Sequence, residues 1–315
     1  MPREPFLRPF PNYLRLIFLL LIILGSLLLT LIAGMAVAGA LFGSGVFDAL
    51  SDLSGKTLME NLDLQRYFQI LSQFGVFIFP PVIYAYLLSR EVPSYLRVDR
   101  KPHIVTLFLA LSAILVILPF LNFTLQINES LHLPHFLSGL ERWMKTSEDQ
   151  ADRLTDAFLS DTTVKGFVIN MVMIGLLAAV GEELLFRGVL LRLLHDWFRN
   201  GHAAVIVSAF LFSAMHLQFF GFLPRMILGI ILGYMFLWSG NLWVPIITHF
   251  INNGLSVAVS FLFYRGVIKT DVESFGNTTN FPIIVFSLVL TVILLILIFS
   301  YERYYTHRGN GLQGR

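Results

Sequence analysis

The chain contains no cysteine. That excludes disulfides, a thiolate metal site and a cysteine nucleophile. Charge is scarce as well. Asp, Glu, Lys and Arg make up 13% of the 315 residues, against roughly 25% in soluble domains. No basic cluster with interleaved aromatics is present, so nucleic acid is not an expected partner. The long apolar runs contain no aspartate, which excludes a paired-aspartate protease. No Gly-x-Ser-x-Gly elbow, Ser-x-x-Lys pair or His-Glu-x-x-His zinc helix occurs either.

What the chain has in abundance is apolar sequence. It is 56% hydrophobic, with a mean hydropathy of +0.73. A helix needs about 20 apolar residues to cross the hydrocarbon core. Eight stretches qualify, near 14–42, 68–89, 103–125, 164–186, 203–220, 222–239, 243–264 and 281–301. The expected fold is an all-α polytopic transmembrane bundle of about eight spanning helices, one integral membrane domain over 1–315. The first run follows Arg3, Arg8 and Arg15, as in a signal peptide, and Ala36-Val37-Ala38 resembles a cleavage site. At Leu16–Phe42 it is far longer than a signal's apolar core of about 7–15 residues, so it reads as a retained span.

Loop charges set the orientation. Basic residues lead at the N-terminus, in the second loop (Arg90, Arg97, Arg100, Lys101) and in the tail (Arg303, Arg308, Arg315). The first loop carries Asp48, Asp52, Glu60 and Asp63 against Lys56 and Arg66. Both termini are therefore expected in the cytoplasm, and the lack of eukaryotic sorting signals points to a bacterial inner membrane. Residues 126–163 form the one long polar connection, an extramembrane amphipathic loop. Its helical stretch, 138–160, reads first as a solvated surface helix and second as a substrate lid. Val189–Phe198 reads as an interfacial amphipathic tail of the fourth span.

Three polar patches interrupt the spans: Glu182-Glu183-Leu-Leu-Phe-Arg187, Phe212-Ser-Ala-Met-His216 and His249-Phe-Ile-Asn-Asn253. A charge at the bilayer centre costs at least about 2.5–3.5 kcal/mol, so it persists where it is buried in protein and used. Glu183 and Arg187 share a helix face at i and i+4 and can neutralise each other. Glu182 lies about 100° away and is left over as a general base. Phe212 is one turn before His216 and is expected to pack beside the site. His249 and Asn253 present an imidazole and an amide together, while Asn252 points off that face. With the nucleophilic and paired-aspartate classes excluded, the remaining chemistry is water activated by Glu182 and His216. His249 and Asn253 would face the carbonyl oxygen as oxyanion donors. Glu182, His216 and His249 also make a zinc set drawn from separate helices. The expectation is no tightly bound metal, with zinc as the alternative.

The succession Glu-Glu-x-x-x-Arg, Phe-x-x-x-His, His-x-x-x-Asn resembles the CAAX-protease and bacteriocin-processing (Abi) family of intramembrane proteases. All three motifs match in order, and the resemblance covers residues 164–264. It implies an endopeptidase cutting a membrane-associated or lipid-anchored peptide. Glu182 and His216 would activate water, His249 and Asn253 would stabilise the oxyanion, and Glu183 and Arg187 would support them. A peptide or protein at the membrane is the implied partner, together with the lipid bilayer. Two readings compete: a non-catalytic peptide-binding or bacteriocin-immunity protein, and a transporter with Glu182 as a proton site. The intact motifs weigh against the first, and the absence of two related halves against the second. This span assignment puts Glu182 and His249 in the cytoplasmic half and His216 past the middle, a mismatch of roughly 10 Å. It makes the site open toward the cytoplasm.

Overall fold

A computed structural model describes residues 4–43, 46, 61–271 and 276–312. The charges from Asp48 to Glu60 and the terminal Arg3 and Arg315 lie outside them. Every regular element among the described residues is helical. Helix α1 is Asn12–Phe42 and α2 is Leu62–Ser89. Helices α3 (Ile104–Val116) and α4 (Leu118–Glu129) form a pair bent by 42°. Pro119 sits in the first turn of α4, where a missing N–H and a fixed φ are tolerated but the preceding helix cannot run straight on. Then come α5 (Ser138–Leu159), α6 (Val164–Phe198), α7 (Gly201–Ala214), α8 (Phe222–Ser239), α9 (Trp243–Tyr264) and α10 (Phe281–Leu312).

Among these, six helices are long and apolar enough to cross a membrane, and the α3/α4 pair makes a seventh. The eighth expected span is α7. It has 14 residues, about 21 Å of rise, and crosses only part of the core. The polytopic helical bundle stands. Its outer surface is lipid-like: Leu20, Leu21, Leu24, Leu28 and Leu29 on α1 are each more than half exposed.

The basic segments gather on one side. The Leu7 amide donates to the Leu87 carbonyl near the end of α2, and Leu242 donates to the Arg97 carbonyl. His103 meets Glu302 of α10 at 3.2 Å. Both ends of the described chain therefore lie on the side of the 90–103 loop. Helix α5 lies on the other side, because Asp161 just after it pairs with Arg66, in the first turn and a half of α2, at 2.9 Å.

Two expectations about α6 and α7 need correction. The fourth span does not end near 186. Nothing after Phe186 breaks the helix until Arg199 turns into the left-handed region (φ 54°). Val189, Leu190, Leu191 and Leu194 are buried in the main apolar core, so the span runs on through them, and only His195–Phe198 at its end are exposed. Helix α7, in turn, stops at Ala214, and Leu217 takes φ 54°. The 215–221 turn packs against α4 and α5, and non-helical backbone in a membrane protein is tolerated where its polar groups find protein partners. Helix α5 and α4 supply them. Glu148 accepts from the Phe220 and Gly221 amides at 2.7 and 3.1 Å. Asn128 donates to the Phe219 carbonyl and accepts from the Leu223 amide. Helix α5 is therefore not simply a solvated surface helix. Its outer face is wet and its inner face covers the turn.

Candidate active site

Helix α6 carries Glu182 eighteen residues after Val164 and sixteen before Phe198, near its middle. Correcting the end of this span removes the depth mismatch with His216. The helix widens into π turns at Met171–Leu177 and Leu184–Leu191, on either side of the glutamate pair. Such turns are frequent at functional sites.

Glu183 is fully buried and works as a hub. Its Oε1 accepts from Arg187 Nη1 at 2.7 Å and pairs with His249 Nδ1 at 2.8 Å. Arg187 is 1% exposed and also donates to the Gly229 carbonyl at 2.9 Å. Its guanidinium lies 4.8 Å from the Phe212 ring centroid. Glycine at 229 keeps α8 close to α7 here, since a Cβ would stand 3.1 Å from that of Ala209, a tight contact. The expected Glu183–Arg187 pairing is present. Its link to His249 across to α9 was not legible, because no spacing rule connects residues 66 apart.

Glu182 points elsewhere, as the 100° offset requires. His249 Nε2 stands 3.8 Å from its Oε2, and His216 Nε2 stands 4.0 Å from its Oε1. Both imidazoles are held by their other nitrogen. His216 Nδ1 lies 2.8 Å from the Phe212 carbonyl, which lost its helical amide partner when α7 ended. Each Nδ1–H thus faces an oxygen acceptor, and each Nε2 faces the carboxylate. Phe212 packs against both histidine rings, at 5.1 and 6.1 Å, and touches no reacting position.

Asn253 sits on the same wall. Its Nδ2 donates to the Ile174 carbonyl at 3.2 Å, which uses one of its two hydrogens. Its Oδ1 accepts from Asn252 Nδ2 at 3.2 Å. Asn252 therefore belongs to the site, contrary to the expectation that it faces away.

Glu182, His216, His249 and Asn253 all line one cavity of about 670 Å³. Its other walls include Ala151, Leu154 and Phe158 of α5. These residues place one wall of the cavity on the side opposite the basic loops. Gln69 and Gln73, at i and i+4 on α2, complete the polar lining with Arg225. Their signal in the sequence is two carboxamides inside the second apolar run.

The donors suit zinc in kind, since both imidazoles have the outer acceptor that ligating histidines use. Among the described residues, however, no three His, Cys, Asp or Glu side chains are grouped to hold an ion.

Residues 164–255 match the family model described as type II CAAX prenyl endopeptidase Rce1-like. A stretch of 91 residues is 32% identical to the uncharacterized protein YpbD of Bacillus subtilis (strain 168). That stretch is 28% of this chain and 43% of YpbD, so the match spans less than half of the relative's length. No solved structure matches.

Proposed function

With residues 164–255 matching the Rce1-like family model, we propose that this integral membrane protein is an endopeptidase acting on a membrane-associated peptide through water activated by Glu182 and His216. The observation that carries the reading is the convergence of Glu182 with two imidazoles whose outer nitrogens are already committed. A water between Glu182 and His216 would give its proton to the carboxylate while its oxygen attacks the scissile carbonyl carbon. The proton then passes to the departing amine, and the peptide bond breaks. The tetrahedral oxygen would face His249 and the remaining Asn253 hydrogen.

That role constrains His249. Its Nδ1–H is spent on Glu183, so its Nε2 donates only as imidazolium. Glu183 and Arg187 act on the reaction by aiming His249. Asn252 acts by fixing the amide of Asn253.

Glu182, His216 and His249 are the residues that would hold a zinc ion. Used as a ligand, Glu182 would leave no carboxylate on the cavity wall as base, because Glu183 is taken. The resting site is therefore read as holding water and no tightly bound metal. Stoichiometric zinc whose removal kills activity and whose return restores it would refute this. The loop charges support the reading that both termini are cytoplasmic, in a membrane read as a bacterial inner membrane.

The deciding experiment compares membrane peptides from cells carrying the wild type and Glu182→Ala. Termini that appear only with the wild type support the endopeptidase. Identical termini in both would leave the non-catalytic peptide-binding reading.

A further inference from the structure

Five carboxamides wall the cavity beside Glu182: Gln69, Gln73, Gln218, Asn252 and Asn253. Three are engaged. Gln218 Nε2 donates to Asp152 at 3.0 Å, and its Oε1 accepts from Arg225 at 2.8 Å. Asn252 and Asn253 hold each other. Gln73 differs. It is 6% exposed, yet its Oε1 has no hydrogen-bond partner. Leaving such an oxygen unpaired costs about 1–3 kcal/mol. A leucine would remove that cost on a helix already flanked by Leu71 and Phe74. Gln73 also opens the π segment Gln73–Ile78, which widens α2 at this level.

A peptide must be extended where it is cut, so its main-chain N–H and C=O groups leave helical pairing there. At membrane depth each such group needs a partner, since an unpaired one costs several kcal/mol. Extended peptides are commonly held by addition to a sheet edge. Among the described residues this chain has no strand to offer one. A carboxamide is the side chain that carries the peptide group's own donor and acceptor.

We infer that Gln73, with Gln69 one turn before it, hydrogen-bonds the main chain of an extended peptide and holds it across Glu182. Gln73 Oε1 accepts from a substrate N–H, and its Nε2 donates to a substrate carbonyl. The inference rests on the endopeptidase reading above.

The test uses a synthetic peptide carrying the cut mapped in membranes. Its companions form a series in which an ester replaces one main-chain amide at a time near that bond, deleting a single N–H. The intact wild type in detergent should favour the all-amide peptide by about tenfold over one ester in the series. The loss should appear in KM, with kcat nearly unchanged. Gln73→Leu should cut that pair with equal efficiency. Should Gln73→Leu fail to fold, Gln69→Leu, at the less buried position, is read against the same series. A variant that keeps the wild-type amide-to-ester ratio, or slows every peptide equally, overturns the inference alone. A wild type that cuts none of the peptides overturns the endopeptidase reading itself.

Discussion

Two adjacent glutamates on α6 have opposite tasks, and substitution should separate them. Glu183 holds Arg187 and His249 through one oxygen in a fully buried position. Glu183→Gln leaves the guanidinium without its anion, and breaking a buried pair costs about 3–5 kcal/mol. The variant should therefore lose both activity and thermal stability in a detergent melt. A fully stable, fully active Glu183→Gln would refute the hub. Glu182 holds neither imidazole at hydrogen-bond distance, its nearest ring nitrogens being 3.8 and 4.0 Å away. Glu182→Gln should melt like the wild type and cut nothing. Asn253→Ala should keep measurable turnover, because losing one oxyanion donor costs about 2.7–4 kcal/mol and leaves the base in place. The pairing of Glu183 with Arg187 and the separate direction of Glu182 were legible from helical spacing alone. The Asn252–Asn253 contact was not. Neighbours on a helix point about 100° apart, and only the rotamers of both amides bring them together.

At the level of elements, α5 and the α7–α8 contact carry the consequences. Glu148 on α5 has its carboxyl raised from the usual range, chiefly by burial, with the Phe220 and Gly221 amides pulling the other way. Asp152 is raised for the same first reason. A raised carboxyl favours the folded state below its unfolded pKa, near 4, and that contribution is lost as pH rises through the folded value. Docking of α5 over the 215–221 turn should thus tighten on mild acidification. Amide exchange at Phe220 and Gly221 should slow as pH falls toward 5, after correction for intrinsic rates. Faster corrected exchange would contradict the sign. Asp161 runs the other way. The Thr163 hydroxyl and amide hold it below the usual range, so its contribution is lost in acid as pH falls through that depressed value. At the other contact, Gly229→Leu should drive α8 from α7 and unseat the carbonyl that Arg187 uses. Overpacking of this kind costs about 1–3 kcal/mol, read as a lowered melting temperature with activity reduced alongside. The helices themselves were legible as apolar runs. The end of α7 and the burial of the leucines that continue α6 were not, because hydropathy reports what a segment prefers as solvent. It cannot tell lipid from a protein core.

For the molecule as a whole, sidedness is the open measurement, and the absence of native cysteine makes it clean. A single cysteine placed at Asp149 on α5, or at Lys101 in the basic loop, gives one labelling site each in an otherwise thiol-free chain. Under the charge bias, Asp149→Cys should react with an impermeant reagent added outside intact cells, and Lys101→Cys only after lysis. Labelling in the reverse order would invert the orientation. Sequence by itself determined the membrane class, the approximate span count, the gathering of basic segments and the residues of three motifs. It could do so because hydrophobic length, charge asymmetry and i, i+4 spacing are local quantities. Tertiary structure decided that Glu183 reaches α9, that α5 caps the turn after α7, and that Gln69 and Gln73 face the same cavity as Glu182. These are contacts between segments far apart in the chain, set by how side chains of different helices fill shared space, and no local pattern encodes them.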